Sequence, residues 1–281
     1  MINNSIENKH FGIKANIIHI HKILYIQPAF CYNIFGDMMK QLGWLKEAYI
    51  THRGLHGVDG LIENTRKSFT EAIKHGFGIE IDTNILKDGT IVVFHDKTLK
   101  RMFGIDQALK DLTYDEIKSL IIPGTHETIP TLDEVLSLIH GQVPLMIEIK
   151  PFGDKKRHSS AVNDALKGYP YEVAVQSYDP SIVYWFKKHS KAHIRGQISE
   201  YFTDSKMSNV MRKLLRRMIF NRLTKPDFIN YRLEDMPNKY IEKARKQGIL
   251  ILAYAARSNK ALTYARKTFD NAVFENFIPK K

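Results

Sequence analysis

Ile79-Glu80-Ile81-Asp82-Thr83-Asn84-Ile85 alternates residue by residue: Ile79, Ile81, Thr83 and Ile85 fall on one side of an extended chain, and Glu80, Asp82 and Asn84 on the other. Successive side chains of a strand point to opposite faces, so residues 79–85 read as a strand with an apolar face to bury and an acidic face to neutralise. Gly76 and Gly78 precede it, ending a helix and releasing the strand. Asp88-Gly89 follows as a tight turn, with Thr90 to Phe94 as a short antiparallel return.

Outward from this stretch the chain repeats a strand-then-helix rhythm. Further strands are predicted at Ala48–Thr51, Leu145–Ile149, Tyr171–Val175, His193–Gln197, Asp227–Asn230, Ile249–Tyr254 and Asn271–Phe274. Helical patterns fit 65–74, 114–120, 132–139, 161–167, 180–188, 238–247 and 259–267. Asn64 is placed as the N-cap of the first, and Pro180 sits in a first turn where its missing N–H is not needed. Eight βα units favour an α/β fold of the (β/α)8 TIM barrel class, spanning residues 47–281. A doubly wound open sheet is the runner-up, but its Gly-rich loop after the first strand is missing. Residues 1–46 fit no βα unit. They read as an irregular N-terminal extension, either packed against the barrel bottom or serving as a membrane-surface element.

At 281 residues the chain can bury a full core as one domain. Cys31 is its single cysteine, so no disulfide forms within the chain, which fits a reducing compartment. The start lacks the basic, apolar and small-residue regions of a signal peptide, and the most apolar window nearby, residues 23–36, is too short to span a bilayer. A cytoplasmic protein, peripheral at most to a membrane, is expected. The formal charge of +12 suits anionic partners without choosing among them.

Polar residues cluster at the predicted strand ends. His52 and Arg53 close the first strand, His95 follows the return strand, and Glu148 and Lys150 end the strand at 145–149. In a (β/α)8 barrel these ends form one active face. Glu80 and Asp82 alone read as well as solvated residues of an edge strand. With Glu148 in an equally apolar run, the three form an all-oxygen pocket suited to a hard divalent cation, where zinc calls for more histidine or thiolate. His52 and His95, each structural if taken singly, suit proton transfer beside such a pocket. Arg53 and Lys150 suit a phosphate, or pair with the carboxylates, and both roles can hold together.

His52-Arg53-Gly54, Glu63-Asn64-Thr65, Gly78-Ile79-Glu80-Ile81-Asp82, Lys87-Asp88-Gly89, Val92-Val93-Phe94-His95-Asp96, Glu148-Ile149-Lys150-Pro151 and Gln176-Ser177-Tyr178-Asp179-Pro180, taken in that order, resemble the glycerophosphodiester phosphodiesterase family. The resemblance covers roughly residues 48 to 281. It implies a TIM barrel enzyme that cleaves glycerophosphodiesters to glycerol 3-phosphate and an alcohol. Glu80, Asp82 and Glu148 would hold one Mg2+ or Ca2+, His52 and His95 would be the acid–base pair, Arg53 and Lys150 would bind phosphate, and Glu63 would support the site. Three departures stand out: Ile62 where a proline is usual, Tyr254-Ala255 for a Trp-Thr pair, and Phe274-Glu275-Asn276 for Thr-Asp-Asn. Tyr254 keeps an aromatic wall for the substrate.

Residues 206–225 carry seven Lys or Arg and no acid. Read as one helix from Lys206 to Arg222, they place Met207, Met211, Leu214 and Met218 on one face and Arg212, Lys213, Arg216 and Arg217 on the other. That is either an outer barrel helix with a solvated basic face or a peripheral contact with anionic membrane. Nucleic acid is not expected, since no aromatic platform is interleaved with the charge. Two alternatives accompany the small-molecule phosphodiesterase: a lysophospholipase D-type enzyme on membrane-derived lipids, and a non-catalytic barrel binding anionic lipid.

Overall fold

The computed structural model describes residues 41–280. Its strands are β1 (Ile50–Thr51), β2 (Gly78–Ile85), β3 (Ile91–Val93), β4 (Leu145–Ile149), β5 (Val173–Ser177), β6 (Ile194–Ser199), β7 (Phe228–Arg232), β8 (Leu250–Ala256) and β9 (Asn271–Phe274). All but β3 run parallel, and β1 pairs with both β2 and β9, so the sheet closes into a (β/α)8 barrel. That closure removes the open doubly wound alternative. β3 is the expected return strand, antiparallel to β2.

The helices are α1 (Gly43–Glu47), α2 (Arg66–Lys74), α3 (Lys100–Phe103), α4 (Tyr114–Ile117), α5 (Leu132–Ile139), α6 (Lys155–Leu166), α7 (Pro180–His189), α8 (Asn209–Arg216), α9 (Asn221–Thr224), α10 (Lys239–Lys246) and α11 (Asn259–Thr268). They wrap the sheet, and their apolar faces pack on the outward side chains of the strands, Ile79 and Ile81 of β2 among them. β2 lies between β1 and β4 and is buried at every position, so it is not the edge strand that would let Glu80 and Asp82 be mere solvated residues.

The inside of the barrel is apolar at its N-terminal end. Ile50, Met146, Ala174, Ile194, Phe228, Leu250, Leu252 and Val273 fill it, and Trp44 and Leu45 of α1 join the same cluster. A Cβ on Gly196 would stand 2.2 Å from the Phe228 ring, so the missing side chain on β6 is what lets that ring occupy the interior. α1 is tied down from β9 and α11: the Asn271 amide donates to the Leu45 and Ala48 carbonyls, and Arg266 donates to those of Glu47 and Ala48. The last residues of the expected extension thus close the barrel bottom, while residues 1–40 lie outside the described residues.

Three local expectations are corrected. Thr65, not Asn64, caps α2, in a reciprocal arrangement with Ser68. α6 begins six residues before Ala161 because the Asp154 side chain accepts from the N–H groups of Lys156 and Arg157; the polar run behind that cap carries no apolar period. The helix drawn from Lys206 to Arg222 is broken into α8 and α9 at Met218, whose φ of 50° is left-handed. Met218 leaves the apolar face of α8 to enter the core between sheet and helices. Arg216 leaves the basic face, its guanidinium lying 5.2 Å from the centre of the Tyr201 ring.

Candidate active site

The barrel interior changes character toward the C-terminal strand ends. Glu80 and Asp82 point inward from β2, and Asp82 stands directly beside Glu148 of β4 in the strand register. The three carboxylates are 1%, 0% and 5% exposed, and one oxygen from each lies within 4.8 Å of the others. Cations crowd them. The Lys150 ammonium is 2.8 Å from Asp82 Oδ1 and 2.7 Å from Glu148 Oε1, and Arg53 Nε is 3.1 Å from Asp82 Oδ2.

Arg53 has a φ of 54°, a left-handed conformation rare for a residue with a side chain. This turn aims its backbone N–H at Glu80 Oε2, 3.1 Å away. Asn64, also left-handed, donates from Nδ2 to Asp82 Oδ2 at 3.0 Å. Asn64 is therefore a site residue that the sequence reading misplaced as a helix cap.

The electrostatics call for a further cation. Burial, then the neighbouring Asp82 and Glu148, push the Glu80 carboxyl well above its ordinary range. Burial raises Glu148 as well, although Lys150 opposes it. Asp82 goes the other way, since Lys150 and Arg53 outweigh its burial and hold it well below the usual carboxylate range. Three buried carboxylates, two of which resist ionising beside an ionised third, offer only oxygen donors and fit a hard divalent ion. A bound ion would reverse the upward shifts.

Each histidine is held by a carboxylate. His52 donates from Nδ1 to Glu275, just past β9, which also accepts from Arg257 Nε at 2.7 Å and has His56 Nε2 3.6 Å away. Burial disfavours ionised Glu275, but those bonds win and keep it far below the ordinary range. Burial likewise pushes His52 below its usual value, with the Glu275 bond only partly opposing. His95 donates from Nδ1 to Asp96 Oδ1 at 2.6 Å. Asp96 is held at about 2: burial would raise it, but the bonds from His95 and Arg101 dominate. Arg101 reaches on to Glu63, and Glu63 accepts from Arg53 Nη1 at 3.1 Å. A chain of charges thus links His95 to Arg53.

His52, Arg53, Glu80, His95, Glu148, Lys150 and Tyr254 line one cavity of about 240 Å3. The site residues read from the sequence are therefore brought together, with Glu63 and Asp82 packed directly behind. Arg232, Arg257 and Glu275 were not read from the sequence as parts of the site; Glu275 was marked only by its place after a predicted strand and as a departure from the Thr-Asp-Asn of the family. With one imidazole nitrogen of each pair engaged by a carboxylate, the other is left for chemistry in the cavity.

A model described as the glycerophosphoryl diester phosphodiesterase family matches residues 52–280. A glycerophosphodiester phosphodiesterase from Bacillus altitudinis is 38% identical over 106 residues, 35% of this chain and 42% of that one. A lysophospholipase D from Rattus norvegicus is 36% identical over 115 residues, 36% of each chain. The chain thus spans about two fifths of the length of these curated relatives. In overall fold it is similar to a phosphodiesterase from Oleispira antarctica, solved in complex with the product sn-glycerol-3-phosphate, with a TM-score of 0.68, 23% identity, and coverage of 82% of this chain and 92% of that one.

Proposed function

The chain belongs to the glycerophosphoryl diester phosphodiesterase family, and from that membership we propose that it is a metal-dependent enzyme that hydrolyses glycerophosphodiesters to glycerol 3-phosphate and an alcohol. The observation that carries this reading is the convergence of three buried carboxylates with two imidazoles, each held at Nδ1 by an acid. Glu80, Asp82 and Glu148 would hold one Mg2+ or Ca2+, which when bound supplies positive charge where phosphoryl transfer develops negative charge. Arg53 and Lys150 add fixed cations beside the phosphate. His52, kept neutral by burial, takes the proton of the nucleophile at Nε2. His95 returns a proton to the leaving alkoxide. The nucleophile is either the glycerol 2-hydroxyl, through a cyclic phosphate, or water. Glu63 ties Arg53 to Arg101, and Tyr254 walls the cavity.

Incubation with glycerophosphocholine in Mg2+, in Ca2+ and in chelator tests the reading. Release of glycerol 3-phosphate and choline that chelator stops is the expected result. No release with either metal would sink it, and would favour the non-catalytic barrel.

Glu275 is assigned the positioning of His52. A Glu275→Gln variant keeps an acceptor but loses the charge that raises the proton affinity of His52. The acid limb of its kcat/KM profile is expected to move to lower pH. Its kcat should fall by an amount between roughly tenfold and the about 10^4-fold seen when the orienting acid of a catalytic triad is lost. An unchanged profile would remove the role.

A second reading, lysophospholipase D-type action on membrane-derived lipid, is favoured by the surface around α8 and α9. Val210, Ile219 and Leu223 are 67%, 42% and 52% exposed, among Arg212, Lys213, Arg217 and Arg222. Exposed apolar tips ringed by base suit the boundary of an anionic bilayer. Cosedimentation with anionic vesicles, lost with neutral ones and weakened by salt, is expected; equal behaviour with both would dismiss this contact. No helix among the described residues is long and apolar enough to cross a membrane.

A further inference from the structure

A second cluster of metal-binding side chains lies beside the three carboxylates: His52, His56 and Glu275 each bring one ligand atom within 4.8 Å of the others. His52 lines the strand-end cavity, whereas His56 and Glu275 do not. His56 belongs to the turn that follows β1, and that turn is held closely. The His56 N–H donates to the Gly54 carbonyl and the Gly57 N–H to the Leu61 carbonyl, each at 2.9 Å. Gly57, at a φ of 72°, lies so near the segment after β9 that a Cβ there would stand 1.9 Å from Asn276 Oδ1. This close approach sets His56 against Glu275. The rings of His52 and His56 are 6.0 Å apart and tilted by 59°, so they do not stack and their nitrogens can converge.

His56 Nε2 is buried without a hydrogen-bond partner, since Glu275 Oε2, at 3.6 Å, is beyond reach. A buried polar atom left unpaired costs free energy unless a ligand takes it. Glu275 is anchored through Oε1 by Arg257 Nε, which leaves Oε2 facing both imidazoles. Metal sites use such an outer partner to orient a ligating carboxylate. Two imidazoles and a carboxylate oxygen suit a borderline divalent ion such as zinc, where Mg2+ and Ca2+ seek oxygen alone. Zinc bonds of about 2.0–2.1 Å set tetrahedral ligand atoms roughly 3.3 Å apart, close to the present separation of His56 and Glu275. Arg53 and Arg257 stand nearby, but each is paired with a further carboxylate, Arg53 with Glu63 and Asp82, Arg257 with Glu234.

We propose that His52, His56 and Glu275 form an inhibitory site for Zn2+ or a similar borderline divalent ion, separate from the three-carboxylate site, with water in the fourth position. Inhibition follows from the tautomer of His52. A metal at Nδ1 displaces the proton now given to Glu275, and the neutral ring then carries its one proton on Nε2. Nε2 no longer offers a lone pair to the cavity, so it cannot accept a proton from the nucleophile. The inhibition rests on the phosphodiesterase reading above; the metal site itself does not.

The full chain, with the carboxylate site saturated by whichever of Mg2+ and Ca2+ supports turnover, is titrated with Zn2+ in a calorimeter and in the glycerophosphocholine assay. One Zn2+ is expected to bind despite the excess of the other metal and to stop turnover. His56→Ala leaves His52 and its bond to Glu275 in place. It is expected to turn over like the parent without Zn2+, and to weaken both Zn2+ binding and inhibition at least about a hundredfold, since even an outer partner of a zinc ligand is worth about 10- to 100-fold. The ratio of turnover with and without Zn2+ in each protein cancels any loss of folded enzyme. Zn2+ that binds only by displacing Mg2+ or Ca2+, or binds parent and His56→Ala alike, would overturn the site. Binding lost in His56→Ala while Zn2+ leaves the parent's turnover unchanged would overturn the inhibition. Binding lost in His56→Ala with no hydrolysis of any diester by the parent would uphold the site and overturn the phosphodiesterase reading.

Discussion

His52→Ala is expected to turn over glycerophosphocholine roughly 10^2- to 10^4-fold more slowly than the parent chain, the range that a positioned acid–base group contributes. The reason is local. His52 follows β1 directly, and its Nδ1 is committed to Glu275, so Nε2 is its one nitrogen left for proton transfer. Burial holds the imidazole below its ordinary value of 6.5. The sign of the pH dependence follows. The base works when unprotonated, so it stays competent at neutral pH, and activity falls as pH drops through a value lower than that of a free imidazole. The parent should therefore show an acid limb below the ordinary histidine range, and His52→Ala should abolish that limb along with most of kcat. The fold is expected to be retained, because the Arg257 bond to Glu275 remains when the His52 bond is lost. Stopped or slowed turnover with unchanged thermal unfolding would fit; a kcat within a few-fold of the parent would remove His52 from the chemistry.

Lys150→Met should weaken the metal-free protein by about 3–5 kcal/mol, the cost of removing one partner from a buried ion pair. Lys150 is 6% exposed and lies between Asp82 and Glu148, within 2.8 Å of each. The methionine would fill the space of the stem but leave Asp82 to Arg53 and the Asn64 amide, and Glu148 without its ammonium. Thermal unfolding in chelator reads this as a drop of about 2–4 °C per kcal/mol for a domain of this size. Adding Mg2+ or Ca2+ should recover most of the loss, because the ion takes over the charge that the ammonium neutralised. A residue that only touched phosphate would leave the chelated protein unaffected. Equal unfolding temperatures for parent and variant in chelator would therefore leave Lys150 only the phosphate role of the two read from the sequence.

The fold and the centre of the site were legible wherever the pattern was strict and local. The alternation from Ile79 to Ile85 announced both a strand and an acidic face, and the closed barrel then placed that strand in the ring with every position buried. Glu148 and Lys150 stood out because they interrupt or end an apolar run. Asn64 was misread for a physical reason: an Asn before a helix has the chemistry of a cap, and nothing in its neighbours tells that its amide turns instead to Asp82, eighteen residues on. The start of α6 hid in a polar run, and the break at Met218 hid in a residue type that ordinarily prefers a helix.

By itself, then, the sequence determined which residues could be strands and helices, that carboxylates, imidazoles and cations gather at strand ends, and that residues 206–225 are basic with interspersed apolar side chains. These follow from period, cap chemistry and charge, all carried by neighbours along the chain. What only the tertiary structure decided depends on residues far apart in sequence. Closure of β1 on β9 brings Glu275 to His52, 223 residues away. The strand register sets Asp82 beside Glu148 with Lys150 between them. The turn at Met218 breaks one basic segment into two helices and sends Met218 itself into the core. Side chains acquire depressed or raised proton affinities, partners and a common cavity only when burial strips their water and the barrel decides who replaces it.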